Sequence, residues 1–552
     1  MDDQSKILIV MITYMSLLVL WGFYQGRKVK TSSDFAIAGR KLPGWVAALS
    51  ERATGESSWA LLGLPGAAYA TGLMEIWTAI GCVLGIILAW VVLAWRLRDE
   101  AAKYETNTFT EYIAKKHGEV GKWIRIVGSF TIVFFFFFYV GAQFIGGGKT
   151  LENLFGIDRV AGMLIIVAFV VPYTIYGGFR SVTYSDVIQA IVMIVALVVA
   201  PIAGIIYLTN QPEGSVFAFS ISEALDKAGP VYNTMTGGKA LSGFGTGLMI
   251  AGAFSWFFGY LGGLPQLTTR FMAIKNARQA KQARNIGVIW TIIAYTGALM
   301  IGWLAIAVFG PGTIKDRETV MPIMLTTLFN PWVAGILLTG VLAAVVSTAN
   351  SLLILSATEL SENLIQPFRK LKPKRALLQS RIVTALLSVV ALVLAYFSFE
   401  PVYLSDNSMN SLSEQITEIS VLERTSVLVD KEFNNKKDFL TALKEILTPK
   451  EFASYNEIFY LNVEKDSGII YTLVGYVWAG IGSTFSIVIL LTLFWKRFHG
   501  RAALATIVTG LVFTIVWIST GLDKTVITAR LMTFVVAFII AVGTTYLIPK
   551  RT

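Results

Sequence analysis

The chain has 552 residues, of which 55% are hydrophobic and 15% are charged, and its formal net charge is +11. Soluble globular proteins carry about 25% charged residues, so this composition excludes that class and predicts a polytopic membrane protein. The single cysteine, Cys82, excludes internal disulfides and cysteine-based metal sites. We attribute the excess positive charge to cytoplasmic loops and expect no nucleic-acid partner.

Thirteen hydrophobic segments are predicted to span the membrane as helices. Each is long enough to cross a hydrocarbon core of about 30 Å. The segments lie at 6–24, 43–69, 74–96, 123–148, 158–177, 185–208, 243–265, 284–310, 329–365, 378–398, 469–495, 502–520 and 527–548.

The distribution of lysine and arginine predicts the orientation of these spans. Connection 270–284 carries five basic residues and no acidic residue. Connection 366–381 carries six basic residues and no acidic residue. Basic connections stay on the cytoplasmic side of a membrane. An odd number of spans then places the N-terminus outside and the C-terminus inside.

One long hydrophilic stretch, 399–468, falls on the external side. It contains thirteen acidic and seven basic residues. Apolar residues recur at helical spacing over 436–459, which predicts short amphipathic helices there. The stretch is either a surface cap without chemistry or a segment that binds a partner or influences gating.

Two spans contain sequences that are unusual for a continuous membrane helix. The second span contains ERATGESS, and the seventh contains GAFSWFFGYLGGLPQ. Irregular backbone at membrane depth is tolerated only where it lines a cavity. Interrupted helices at corresponding positions of two halves indicate the binding site of an inverted-repeat transporter. Spans 2–6 and 7–11 would form the two repeats.

These boundaries predict a domain organisation. It comprises an extra helix and cytoplasmic linker (1–42), the first repeat (43–208), an external loop (209–242), the first part of the second repeat (243–398), the insertion (399–468), the last helix of the second repeat (469–495) and two C-terminal helices (496–552).

The ninth span contains two adjacent hydroxyl residues, Ser347 and Thr348, among small residues. Small residues allow helices to approach closely, so packing alone explains them in one interpretation. In the other, the hydroxyls and unwound backbone carbonyls provide the several oxygens that a hard cation such as Na⁺ requires.

Several motifs resemble the sodium/solute symporter family, and within it the bacterial sodium/proline symporters. They are GRKLPGW, ESSWALLGLPGAAYATG, YSDVIQAIVMIVAL, TRFMA and NPWVAGILLTGVLAAVVSTANSLL. The resemblance covers about 8–398 and 469–520. It implies an all-α, LeuT-type fold with a 5+5 inverted repeat, alternating access, and a location in the inner (plasma) membrane.

The resemblance also implies roles for individual residues. The Na⁺ site would use Ala53, Glu56, Ala344, Ser347 and Thr348. The solute would contact Ser57, Ser58, Trp59, Tyr139, Gln143, Trp256 and Tyr260. By the resemblance, coupling or gating would involve Arg40 and Asp186. Arg52, which is not part of the family pattern, and Gly55 are further candidates for this role. The chain departs from the sodium/proline symporters at Gly55, where they carry an aspartate, and places its carboxylate one residue later.

Arg52 and Glu56 need an explanation of their own, because an intramembrane charge costs at least about 2.5 kcal/mol. Their i,i+4 spacing predicts an ion pair, whereas Glu51 is the less favoured partner because adjacent residues do not face each other on a helix. In a first interpretation the pair is structural, and in a second Glu56 assists the bound cation. In a third, Arg52 acts as a fixed cation that replaces Na⁺ or binds a solute carboxylate. In a fourth interpretation Glu56 carries a proton.

We therefore predict a secondary transporter, not an enzyme, that imports a small polar organic solute with Na⁺ as the co-transported ion. An amino acid such as proline is the leading solute, the lipid bilayer is the other partner, and we expect a monomer. The alternatives are an H⁺-coupled or Na⁺-independent transporter of another small solute, a transporter-like membrane sensor, and a passive channel.

Overall fold

The computed structural model describes residues 1–548 except 119, 239–243, 368–371, 398–401, 405, 417, 430, 432, 434–435 and 466–467. Within these residues, eleven helices are long and apolar enough to cross a membrane. They are Asp3–Gly26, Gly44–Lys103, Gly121–Phe155, Arg159–Thr209, Gly245–Ala273, Ala277–Phe309, Pro331–Ile365, Lys374–Phe397, Ile469–Phe494, Gly500–Ser519 and Ala529–Leu547. Shorter helices connect them at Ser32–Ile37, Phe109–His117, Ile221–Ala228, Pro230–Asn233, Val320–Leu328 and Leu522–Thr525.

Two of the eleven helices are too long for one crossing. They contain 60 and 51 residues, and at 1.5 Å per residue each would extend about 75–90 Å if straight. The first is interrupted at Gly72 (φ +61°) and the second at Gly178 (φ +54°). A Cβ at Gly72 would lie 2.2 Å from the carbonyl oxygen of Tyr232, so only glycine fits there. Division at both glycines gives thirteen segments, although the number of crossings stays a prediction.

Both predicted breaks are present. The first broken helix consists of Gly44–Ser58, a π-helical turn at Trp59–Gly63, and Leu64–Thr71. Ser57 has φ +52° and ψ −171°, a backbone region that is almost restricted to glycine and that is concentrated at functional sites. The second broken helix consists of Phe244–Phe254, Trp256–Tyr260 and Pro265–Ala273, and between its last two parts Gly262 has φ +92°.

One helix, Pro331–Thr358, lies at the centre of the fold, and we call it the Ser347 helix. Asn330 caps its start by accepting the backbone N–H groups of Trp332 and Val333, and Pro331 follows at the first helical position, where no donor is needed. The Ser347 helix packs against Asp3–Gly26, the first broken helix, Gly121–Phe155 and Arg159–Thr209. From Leu337 to Thr358 every side chain is buried.

The stretch predicted to be external folds around a hydrophobic core of its own. Its helices are Asp406–Gln415, Ile419–Thr425, Lys436–Ile446 and Pro449–Asn462, and its two short antiparallel strands, Val402–Tyr403 and Glu464–Lys465, bring its ends together. The amphipathic helices predicted over 436–459 are confirmed. A hydrogen bond from Arg424 lowers the pKa of Glu451 to about 2, and this contact joins two of the helices.

The orientation of the chain is open to a direct test by cysteine labelling. In a Cys82→Ala background, Ser413→Cys should react with an impermeant thiol reagent added outside right-side-out vesicles, because Ser413 is exposed and lies in the insertion that is predicted to be external. Arg375→Cys, also exposed, should react only in inside-out vesicles. The reverse pattern would overturn the orientation drawn from the basic connections.

Candidate functional site

Five oxygen atoms from the first broken helix and the Ser347 helix meet at the break. Ser347 Oγ donates to the carbonyl oxygens of Ala53 (2.9 Å) and Ala344 (3.1 Å). Thr348 Oγ1 donates to the carbonyl oxygen of Thr54 at 3.0 Å. The structure thus brings together four of the five residues predicted to bind Na⁺. The fifth, Glu56, directs its carbonyl oxygen to the backbone N–H of Trp59 instead.

The break explains why backbone oxygens are free to join this cluster. In a continuous helix the carbonyl of Thr54 would accept the N–H of Ser58. Because Ser57 is not helical, the N–H of Ser58 donates to Gln143 Oε1 at 3.0 Å, and Thr54 accepts a hydroxyl. Thr54 was missing from the predicted site, although two adjacent hydroxyls facing successive carbonyls would have indicated it.

The chemistry of this cluster suits a hard monovalent cation. Each of the five atoms in the cluster is a neutral oxygen, and oxygen atoms are the ligands that hard cations prefer. Among the described residues, no group of three or more histidine, cysteine, aspartate or glutamate side chains is placed to hold a metal ion. The oxygen cluster is therefore the arrangement that we consider for cation binding.

A second buried cluster surrounds Asp186, which the sequence marked for coupling. Asp186 Oδ2 accepts from Ser50 Oγ at 2.6 Å and forms an ion pair with Arg270 Nη2 at 3.1 Å. Arg270 Nη2 also donates to Thr54 Oγ1 at 2.8 Å and to Ser351 Oγ. Thr54 thus belongs to both clusters, through its carbonyl oxygen and through its hydroxyl. Arg270 was not predicted, although it is the only charge in TTRFMA.

Arg52 forms a buried ion triad with Glu51 and Glu56. Its Nη1 lies 3.1 Å from Glu56 Oε1, which confirms the predicted i,i+4 pair. The expectation that Glu51 would be the lesser partner is wrong, because the guanidinium folds back and contacts both Glu51 oxygens, one of them at 2.5 Å from Nε. Trp90 Nε1 donates to the same carboxylate at 3.0 Å and fixes its direction.

Gly55 has a structural role beside this triad. A Cβ there would lie 3.2 Å from Arg52 Nη2 and 3.3 Å from Leu267 Cδ2, so the guanidinium and Leu267 occupy the space that a larger side chain would need. The triad holds two carboxylates and one guanidinium. Glu56 Oε2 is buried and has no hydrogen-bond partner among the described residues.

The predicted solute-binding residues surround the two breaks. Trp59 and Trp256 stack with ring centroids 4.1 Å apart and an interplanar angle of 5°. Tyr260 Oη lies 2.9 Å from Tyr295 Oη, and Tyr139 packs edge-on against Trp478 at 5.5 Å. All these side chains are buried, so the two breaks enclose an aromatic cluster.

Polar atoms at the same place lack partners within the described part of the chain. They are Ser58 Oγ, Trp59 Nε1 and Gln143 Nε2, whereas Ser57 Oγ accepts the N–H of Trp59 at 3.1 Å. Buried polar groups are normally hydrogen-bonded, so such a group of exceptions calls for an explanation. A small polar ligand between the breaks would provide one.

Aromatic residues of the helix Ile469–Phe494 complete the cluster and were not predicted. Tyr471 packs edge-on against both Trp59 and Trp256 at 5.4 Å, and its hydroxyl donates to Glu75 Oε1 at 3.0 Å. Trp478 contacts Trp256 at 5.5 Å. The aromatic spacing in IIYTLVGYVWAGIGS was the available signal.

Arg40, the remaining coupling candidate, lies in the linker before the first broken helix. It has φ +54°, and its guanidinium donates to the carbonyl oxygen of Thr106. Burial lowers its pKa below the ordinary arginine value. None of these contacts joins it to the clusters around the breaks.

The chain is similar in sequence to known transporters over most of its length. The sequence profile described as "Sodium:solute symporter family" matches residues 35–420 and 457–510. The chain is 31% identical to the osmoregulated proline transporter OpuE of Bacillus subtilis (strain 168), over 94% of this chain and 90% of that protein. It is 29% identical to the high-affinity proline transporter PutP of the same strain, over 92% and 91%. It is 28% identical to a sodium/proline symporter of Staphylococcus aureus (strain JH9), over 100% of this chain and 94% of that protein.

The fold is similar to that of a solved Na⁺-coupled sialic acid symporter in its substrate-bound, outward-open state. The TM-score is 0.70 at 16% identity, and both chains are covered in full. The predicted all-α, LeuT-type fold is thereby confirmed. The profile match spans most of the chain. The chain therefore belongs to the sodium:solute symporter family and is a multi-pass, Na⁺-coupled symporter of the plasma membrane.

Proposed function

We propose that this symporter imports an amino acid such as proline, driven by one Na⁺ bound between the first broken helix and the Ser347 helix. The observation that carries the proposal is the convergence of Ser347 and Thr348 on carbonyl oxygens of the break. The names of the relatives support proline as the solute. Uptake of labelled proline into proteoliposomes against its gradient, with and without Na⁺, is the test.

In this proposal Na⁺ takes the place of the hydroxyl hydrogens. The carbonyl oxygens of Ala53, Thr54 and Ala344 already lie within hydrogen-bond reach of Ser347 Oγ and Thr348 Oγ1. A hydroxyl is both donor and acceptor, so rotation of each hydroxyl would turn its lone pairs toward the ion. Bound Na⁺ would then hold the two helices together more firmly than two hydrogen bonds do.

Thr54 offers a physical route for coupling. Its carbonyl oxygen belongs to the proposed cation site, and its hydroxyl accepts from Arg270, which is paired with Asp186. Loss of the cation would free the Thr54 backbone to shift and would loosen the hydroxyl contact. If the basic connections are cytoplasmic, this pair lies between the cation site and the cell interior and would act as the inner gate.

The solute would bind between the two breaks. Its ring or other apolar part would lie against Trp59, Trp256 and Tyr139, and the unpartnered Ser58 Oγ and Gln143 Nε2 would hydrogen-bond its polar groups.

Proton coupling at Glu56 is the second candidate, and one observation favours it. Glu56 Oε2 is buried without a hydrogen-bond partner among the described residues, and Arg52, which pairs with Glu56 Oε1, is shared with Glu51. One guanidinium does not neutralise two buried carboxylates, and the excess negative charge is costly unless a cation or a proton binds there. Uptake that follows a pH gradient in the absence of Na⁺ would favour this candidate over the first.

The cation site makes a prediction about Na⁺ affinity. Ser347→Ala and Thr348→Ala should each raise the Na⁺ concentration for half-maximal uptake by about 10-fold, because each removes an oxygen ligand. Thr339→Ala is the matched control, since this buried hydroxyl on the same helix donates to the carbonyl oxygen of Ile336 within that helix. An unchanged Na⁺ dependence in the Ser347→Ala, Thr348→Ala double variant would refute the site.

Glu56→Gln separates a coupling role from a structural one. Arg52 keeps its contacts to Glu51 in this variant, so we expect normal thermal stability of the purified protein but weaker Na⁺ dependence of uptake. Glu51→Gln, by contrast, breaks the two-oxygen contact and the Trp90 bond, and should cost roughly 3–5 kcal/mol of stability. Equal destabilisation by both variants, with Na⁺ dependence intact, would show that Glu56 is structural.

The aromatic cluster makes a prediction about solute affinity. Trp256→Ala and Tyr260→Ala should weaken proline binding more than Na⁺ binding, since loss of an aromatic contact removes roughly 0.5–2 kcal/mol. Trp332→Ala, an exposed tryptophan on the Ser347 helix, should change neither. Normal proline affinity in both cluster variants, measured by competition for labelled solute, would exclude the second break as part of the solute site.

A further inference from the structure

Arg530 contacts the aromatic cluster from outside both predicted repeats. It lies near the start of the last helix, Ala529–Leu547, and its Cζ is 4.4 Å from the ring centroid of Trp256. Trp59 stacks on the same ring at 4.1 Å, so the guanidinium and Trp59 must occupy opposite faces of Trp256. A cation therefore extends the tryptophan stack at the solute site.

The position of this guanidinium is fixed by its surroundings. Nε donates to Ser255 Oγ at 3.1 Å, and Ser483 Oγ donates to the Arg530 carbonyl oxygen at 2.8 Å. A Cβ at Gly475 would lie 2.6 Å from Arg530 Nη1, so the glycine leaves the space that the guanidinium needs. Two other segments of the chain, the second broken helix and the helix Ile469–Phe494, thus hold Arg530 against Trp256.

The charge of Arg530 is not matched by an ion pair within the described residues. Only Nε has a hydrogen bond there, which leaves Nη1 and Nη2 available. Glu75 is close enough to interact electrostatically with Arg530, but its Oε1 accepts the Tyr471 hydroxyl. Arg530 is neither fully buried nor fully exposed, so a ligand can reach its free nitrogen atoms.

We propose that Arg530 binds the carboxylate of the transported solute and makes the transporter selective for carboxylates. A guanidinium with two free N–H groups matches a carboxylate through two parallel hydrogen bonds, which lysine cannot reproduce. The tryptophan stack beside it would receive the apolar part of the same molecule. Arg530 is then a specificity-determining residue, and the inference rests on the proposed function because it concerns the same solute.

The test compares each carboxylate with its amide, which has the same shape without the charge. Thermal stabilisation of the purified protein in Na⁺ is measured with amino acids and their amides, including L-proline and L-prolinamide. Competition against proline uptake is then measured for the wild type, Arg530→Gln, Arg530→Lys and Lys524→Gln. Lys524 is an exposed cation at the same end of the molecule and controls for a general effect of charge.

We expect the wild type to prefer carboxylates over amides by about 10-fold or more. Arg530→Gln should lose this preference, Arg530→Lys should keep part of it, and Lys524→Gln should keep all of it. A carboxylate ligand other than proline would overturn only the proposed solute. Retained preference in Arg530→Gln, equal loss of carboxylate and amide affinity, or wild-type ligands without a carboxylate would overturn the role of Arg530.

Discussion

A helix that breaks inside a bilayer must find partners for its backbone groups, because no water is present to accept or donate hydrogen bonds. Here the break at Ser57 directs the N–H of Ser58 to Gln143. The carbonyl oxygens of Ala53 and Thr54 accept the hydroxyls of Ser347 and Thr348. Backbone groups of the first broken helix thus bond to side chains of Gly121–Phe155 and of the Ser347 helix, and these bonds join the three helices at the break. It also gathers the oxygens that a Na⁺ ion would use, so one constraint accounts for both stability and function.

Helical periodicity directs residues 50–56 of the first broken helix toward three different groups of partners. Ser50 and Thr54, four residues apart, face Asp186 and Arg270. Arg52 and Glu56, also four apart, face Thr291 and each other. The carbonyl oxygens of Ala53 and Thr54 point to the Ser347 helix. A small movement of this segment would therefore change the oxygen cluster, the ion triad and the Asp186–Arg270 pair together. Alternating access with coupling requires such a linked change.

The sequence predicted those features that local chemistry specifies. Charge, glycine and serine within an apolar span indicate a break whatever packs against it, and adjacent hydroxyls on a small-residue helix indicate close contact with backbone oxygens. Residues that reach the site from distant segments were predicted only where the family resemblance supplied them, and the others were missed. Tyr471, Trp478 and Arg270 reach the site only after the chain has folded. The pairing of Arg52 with Glu51 depends on Trp90, which holds the carboxylate from another helix.

The most direct test of the account is equilibrium binding of radioactive Na⁺ to the purified protein, without solute and without transport. We expect the wild type to bind Na⁺ saturably. The Ser347→Ala, Thr348→Ala double variant should lose this binding and remain folded, with a lower unfolding temperature because the carbonyl oxygens of Ala53 and Thr54 lose their hydroxyl partners. Thr339→Ala should bind Na⁺ as the wild type does, since its hydroxyl bonds to its own helix. Wild-type Na⁺ affinity in a folded double variant would contradict the claim that the hydroxyls and carbonyl oxygens at the break form the cation site.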